Sequence, residues 1–229
     1  MSNLESRKQQ AKAIVETLGN YYEDADTTLN YKDNPWRLLV GAILAAQCTD
    51  ARVNKVTPAL FERFPEIPDF AATTPEAIEP YIKSCGLFRN KAKSIRNAAV
   101  HILEQHNAVV PSTEAELLAV PGVGRKIANL LIGDAFGGQA VVVDTHCARI
   151  TQLMGLSDSK NVTRIEKDLM ALVPQDRWTD WGHLLVILGR DICIARRPQC
   201  QRCPVQDLCD YGRQQKEEAD AARALNESD

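Results

Sequence analysis

Residues 117–146 read LLAVPGVGRKIANLLIGDAFGGQAVVVDTH. The apolar spacing on either side of Pro121-Gly122-Val123-Gly124 predicts two helices joined by that four-residue turn, the second starting at Arg125. The two glycines are expected to take φ > 0 and to leave backbone N–H groups uncovered. Amides at a helix start form a seat for one phosphate. Lys126 stands at the head of the second helix and Asp144 follows AVVV further on. A cation in the first turn opposes the helix dipole, and Arg125 adds a like charge beside it. Both effects are expected to lower the Lys126 pKa, as an amine nucleophile requires. The competing reading is a solvated surface lysine. Asp144, just before Thr145-His146, has the position of a helix N-cap.

The bulk composition bounds the problem. A chain of 229 residues can form one large domain or two modest ones, and 45% apolar with 25% charged residues is ordinary for a globular protein. No apolar run is long enough to span a bilayer, and the start MSNLESRKQQ lacks an apolar signal core, so neither membrane insertion nor export is expected. A location in the cytoplasm, at the nucleoid, follows as the expectation. The net charge of −3 argues mildly against a nucleic-acid partner until its distribution is considered. From Lys83 to Lys126 there are seven Lys/Arg against three Asp/Glu, whereas from Gln214 to Asp229 there are two against five. The middle is basic and the tail acidic, so attraction to DNA would be local.

The chain in order predicts an all-α fold. Leu4, Ile14, Val15 and Leu18 mark a first helix that stops at Gly19-Asn20, and 21–33 reads as an acidic connection. Asn34-Pro35 supplies an N-cap and first-turn proline for 36–47, WRLLVGAILAAQ, apolar nearly all round and therefore expected at a domain centre. Thr49 or Asp50 caps a helix through Val53, Val56, Leu60 and Phe61. Pro65 and Pro68 punctuate a turn, and Thr73 with Glu76, or Thr74 with Pro75, starts a helix toward Ile82. Asn90 opens a helix through Ile95, Ala99, Ile102 and Leu103, and Ser112 or Thr113 opens the one entering the hairpin. Asn161 or Thr163 opens a helix carrying Ile165, Leu169 and Leu172, and Trp178 to Ile192 is expected as the last long helix. Only 140–143 invites a strand reading, and four residues are too few to decide it. After Tyr211 the periodicity stops, and 214–229 is expected to be a loosely ordered acidic tail.

Seven cysteines without an export signal favour a metal or cluster site over disulfides. Four of them, Cys193, Cys200, Cys203 and Cys209, have the spacing C-x6-C-x2-C-x5-C. Four thiols so close can converge on one centre. Zinc is one occupant, although zinc sites usually pair two C-x2-C units and this chain has one; an iron–sulfur cluster also takes four thiolates. Cys48, Cys85 and Cys147 read as small buried apolar residues. His146 and His183 beside helical apolar residues read as hydrogen-bonded structural groups, and Trp178 with Trp181 as core.

Taken together, PGVGRK-x-A-N at the hairpin, V-D-T-H at 143–146 and the cysteine loop resemble the helix–hairpin–helix DNA glycosylases, and most closely the endonuclease III family, over about Asn34 to Tyr211. The resemblance implies two helical domains flanking a DNA cleft. One is a six-helix barrel, 27–138, with the helix–hairpin–helix at 114–135; the other joins 1–26 to 139–213 and carries a [4Fe–4S] cluster on the four cysteines. Lys126 and Asp144 would lie on either side of that cleft, as nucleophile and charge-stabilising carboxylate. The implied partner is double-stranded DNA with damaged or abasic sites, bound by a monomer. Gly122, Val123, Gly124 and Arg125 would hold a phosphate, Arg196 and Arg197 would meet phosphates from the cluster loop, and Gln47 and Leu87 would fill the gap left by an extruded nucleotide. The implied activity is removal of oxidised pyrimidines, followed by β-elimination through a Lys Schiff base. Alternatives are an abasic-site lyase with weak glycosylase activity, an adenine-mismatch glycosylase, or a non-catalytic DNA-binding module. The adenine enzymes carry a Glu in the helix matching 36–47, and this helix has no acidic residue. Ala148 and Gly137-Gly138-Gln139 depart from the family's usual residues near Asp144 and bear on lesion choice.

Overall fold

The computed structural model describes residues 3–226; among these it is all helix, turn and irregular chain, with no strand. None of its helices is long and apolar enough to cross a membrane. The chain divides into two compact units, 27–140 and 1–26 together with 141–229.

The 27–140 unit holds α2 (Pro35–Ala45), α3 (Asp50–Arg63), α4 (Ile67–Ala72), α5 (Pro75–Ile82), α6 (Phe88–His106), α7 (Glu114–Ala119) and α8 (Arg125–Leu130). The all-round apolar helix α2 is central, as its sequence demands. It buries Trp36, Leu38, Leu39, Val40, Ile43 and Leu44, and its start is fixed by Asn34 Oδ1 accepting from Arg37 N at 3.0 Å. Thr49 caps α3 and Thr113 caps α7, each through its side-chain oxygen. Two elements differ from the sequence reading. Pro65 and Pro68 mark a helix start rather than a bare turn, because Pro68 falls in its first turn and Asp69 reaches back to accept from Glu66 N at 2.9 Å. α6 begins at Phe88, not Asn90; the residue before it, Leu87, is left-handed with φ 43° and offers no side-chain cap.

The second unit holds α1 (Asn3–Tyr21), α9 (Thr145–Leu153), α10 (Val162–Leu172), α11 (Trp178–Asp191) and α12 (Asp210–Asn226). Its core gathers Ile14, Val15 and Leu18 of α1, Ile165 and Leu169 of α10, and Trp181, Leu185 and Leu188 of α11. The run 140–143 is irregular and has no strand partner. Val141 and Val143 are nevertheless buried in this core, and Gly182 lets α11 approach closely, since a Cβ there would lie 3.2 Å from Val142 O. The tail departs most from expectation: α11 is not the last helix, and 210–226 is helical. Its Lys, Gln, Glu, Ala and Arg are good helix formers. Gln214 donates to Glu218 at 2.9 Å and Lys216 to Asp207 at 2.9 Å, while Arg7 on α1 ties down Asp210 at 3.0 Å. The lost apolar periodicity reflects solvent exposure of most of this helix, not lack of structure. Residues 227–229 of the expected tail lie outside the described residues.

Candidate functional site

The hairpin between α7 and α8 closes by Val123 N donating to Val120 O at 3.1 Å. Only one of its glycines uses the freedom expected of both. Gly122 has φ 85°, and a Cβ there would sit 2.9 Å from Ser94 Cβ on α6. Gly124, the N-cap of α8, has φ −99° and ψ 175°, an extended conformation open to any residue, with nothing within 4 Å of a Cβ position. What its missing side chain provides is an uncovered amide. Val123, expected among the phosphate-binding residues, has a buried side chain and an N–H committed to the turn, so it anchors the hairpin. Arg125 is paired with Glu114 at 2.9 Å, which offsets the charge expected to act on Lys126. Lys126 itself is exposed in the first turn of α8. The helix is short, and a π turn at Leu131–Ala135 follows it.

Gln47 and Leu87 belong to the same unit and share an uncommon backbone. Gln47 (φ 53°) and Leu87 (φ 43°) are both left-handed, both lack the glycine that would make this free, and both are exposed, Leu87 to 58%. A left-handed non-glycine costs on the order of 1–2 kcal/mol, and such strain is maintained only where the surroundings over-determine it. Those surroundings include a residue that sequence reasoning missed. Lys91, on α6, is 5% exposed and its Nζ donates to Leu44 O at 2.9 Å and Cys85 O at 2.6 Å. Its position among polar neighbours in the sequence carries no sign of burial.

In the second unit Asp144 is the N-cap of α9, its Oδ1 accepting from Cys147 N at 2.7 Å. One carboxylate oxygen therefore holds the helix start, and the half-buried group retains a second. His146 packs against α11, where a Cβ on Gly189 would lie 2.3 Å from its Nδ1; this is a packing role. Burial pushes the Cys147 thiol up to about 12 and the Cys85 thiol, with Cys48 beside it, up to about 11, so both are inert apolar groups at neutral pH. Trp181 is fully buried and Trp178 donates to Val173 O at 3.1 Å.

The cysteine loop follows α11 as two 3-10 turns, Cys200–Arg202 and Gln206–Leu208. Cys193, Cys200, Cys203 and Cys209 all line one hollow, with Ile150, Leu188 and Val205 among its apolar walls. Burial first, and then the neighbouring thiols, raise Cys200 and Cys209 and push Cys203 up to about 11. Four thiolates do not share such a site without a cation, and iron would reverse the sign of that effect. Donors already point at the sulfurs: Arg149 Nη1 to Cys193 Sγ at 3.5 Å and Gly212 N to Cys209 Sγ at 3.4 Å. Thiols, apolar wall and N–H donors fit an iron–sulfur cluster. Arg149, which also donates to Cys193 O, is the second residue the sequence gave no reason to single out. Arg196 and Arg197 are exposed within the loop.

Comparison with known proteins assigns the class from these two regions. Residues 40–175 match the HhH-GPD superfamily of base excision DNA repair proteins, and 193–209 match the iron–sulfur binding domain of endonuclease III. The chain is 45% identical over 210 residues to endonuclease III of Synechocystis sp. (91% of this chain, 95% of that one), and 40% identical over 205 residues to that of Bacillus subtilis (89% and 93%). Among solved structures it is similar to a trapped endonuclease III–DNA covalent intermediate, with a TM-score of 0.85 and 38% identity over 91% of this chain and 98% of that one. A thermostable thymine-DNA glycosylase shares the fold, with a TM-score of 0.82 at 23% identity, over 90% of this chain and 98% of that one. The chain belongs to the endonuclease III family. Its cofactor is the [4Fe–4S] cluster of that family's iron–sulfur domain.

Proposed function

We propose that this chain is a bifunctional base excision repair enzyme, a DNA glycosylase with abasic-site lyase activity, whose substrates are oxidised pyrimidines in duplex DNA. The observation that carries the reading is the exposed Lys126 in the first turn of α8, on a glycine hairpin, in a chain of the endonuclease III family. The covalent DNA intermediate trapped with the structural neighbour supports a nucleophile on the protein.

In the proposed reaction the amides about Gly122 and Gly124, with Arg125, hold a phosphate beside the lesion. Gln47 and Leu87 occupy the gap left as the nucleotide leaves the stack, which lowers the cost of extrusion. Lys126 Nζ forms a bond to C1′ while the glycosidic C–N bond breaks, and the base departs with the electron pair and takes up a proton. The free oxygen of Asp144 stabilises positive charge on the sugar and receives a proton from the attacking amine. The C1′–O4′ ring bond then breaks, O4′ taking up a proton, which opens the sugar and leaves a Schiff base between Nζ and C1′; loss of a 2′ proton from it expels the 3′ phosphate and cuts the strand. Cys193, Cys200, Cys203 and Cys209 hold the cluster, which when bound supplies iron–thiolate bonds that keep 193–209 folded. Arg196 and Arg197 reach phosphates from that loop. The enzyme works as a monomer at the nucleoid, in the cytoplasm.

Gly138, one of the departures from the family pattern, has a packing reason: a Cβ there would approach Ile132 Cγ2 at 2.8 Å. The deciding experiment is borohydride trapping on duplexes carrying thymine glycol or an abasic site. Adducts with both, absent in Lys126→Ala, are expected. An adduct at the abasic site alone reduces the activity to a lyase, and full activity in Lys126→Ala sinks the assignment.

A further inference from the structure

Gln47 and Leu87, two of the five non-glycine residues with positive φ among those described, are separated by forty positions in the chain, yet one side chain lies behind both. Leu44 is in the last turn of α2, where carbonyl groups have no helical N–H to accept from. Cys85 ends the 3-10 turn Lys83–Cys85, just before Gly86. Lys91 Nζ donates to the carbonyl oxygens of both, 2.9 Å and 2.6 Å away, from a buried position. Gln47 follows the first anchored carbonyl by three residues, and Leu87 follows the second by two. A lysine has three donors on a long stem, and this one spends its reach on backbone. A leucine or methionine would fill the same space without joining two segments. Lys91 also lies one helical turn before Ser94, the residue against which Gly122 of the hairpin packs.

We propose that Lys91 is a positioning residue for base extrusion, fixing the segments that carry Gln47 and Leu87 at one mutual spacing so that both side chains enter the duplex together. This rests on the reading of Gln47 and Leu87 as the gap-filling side chains. Lys91 does not touch DNA; it acts through the two backbone carbonyls.

The test uses the full chain with its cluster and two duplexes containing thymine glycol. In one the lesion is paired within a continuous duplex; in the other it lies among mismatches and is already unstacked. Lys91→Met keeps the length and removes the donors. It is expected to slow single-turnover excision of the paired lesion by about tenfold to a hundredfold, the scale of a misplacement of about 1 Å. Excision from the open duplex, where extrusion costs little, should change less than about threefold. In a Gln47→Ala/Leu87→Ala background, adding Lys91→Met should slow neither substrate further. Equal losses on both duplexes, or a further loss in that background, overturn the proposal. If Lys91→Met fails to fold, Lys91→Gln, shorter but with two donors, is read by the same ratio. A wild-type chain that excises from neither duplex overturns the glycosylase reading and this proposal with it. Excision from both with an unaltered ratio in the variant overturns this proposal alone.

Discussion

In the 27–140 unit, Phe70 is fully buried with its ring 5.3 Å from that of Trp36 and 5.2 Å from that of Phe64, inside a core built from α2 to α8. In the other unit, the seventeen residues 193–209 bury Val205 alone. Their backbone runs through short 3-10 turns and is held from outside by side chains of the same unit. Gln10 donates to Leu208 O at 2.6 Å and Arg149 to Cys193 O. The contrast separates two ways of fixing a backbone. Where apolar side chains recur at helical spacing, burial alone determines the packing. Where they do not, thiolate–iron bonds have to substitute for a core, and the cysteine positions carry the information that an apolar stripe carries elsewhere.

Perturbing each region should sharpen that contrast. The largest effect is expected from Cys203→Ser: loss of the cluster's visible absorption and of amide-exchange protection across 193–209, while protection in α2 and α6 persists. Equal loss of protection in α2 would contradict separate stabilisation of the two regions. Phe70→Ala should destabilise the protein by about 3–5 kcal/mol through the cavity it leaves, and the cluster absorption of the folded fraction should be unchanged. Gly155→Ala, in the second unit, forces a side chain onto φ 73° and a Cβ to 1.8 Å from Asp210 Oδ2. It should cost about 1–3 kcal/mol in thermal denaturation and weaken the attachment of α12. The smallest stability change is expected from Asp144→Asn, since Asn caps a helix about as well as Asp and the cap is worth about 1 kcal/mol in all. Excision should nevertheless fall steeply, because the negative charge is gone. A variant with unchanged melting and unchanged excision would leave Asp144 as a cap only.

Much of the helical order was legible because it is local. Asn34, Thr49, Thr74, Thr113, Asp144 and Asn161 each stand at the N-cap of an observed helix, and an N-cap acts within three residues of itself. The tail is not legible in the sequence because loss of apolar periodicity marks either exposure or disorder, and contacts such as that of Arg7 with Asp210, more than two hundred residues apart, distinguish them. α4 is hidden in the sequence because a capping box built on Glu66 and Asp69 resembles two charges beside prolines.

By itself, then, the sequence determined that the chain is all-α, that Asn34-Pro35 starts a helix buried on all sides, and that four closely spaced cysteines serve one centre; each depends on spacing along the chain. Tertiary structure alone decided that Gly122 and not Gly124 needs a positive φ, that Arg125 is paired with Glu114, that Arg149 reaches Cys193, and that Lys91 is buried between two carbonyls. Those facts depend on which segments the folded chain brings to within about 3 Å, the range at which a hydrogen bond forms or an added Cβ collides.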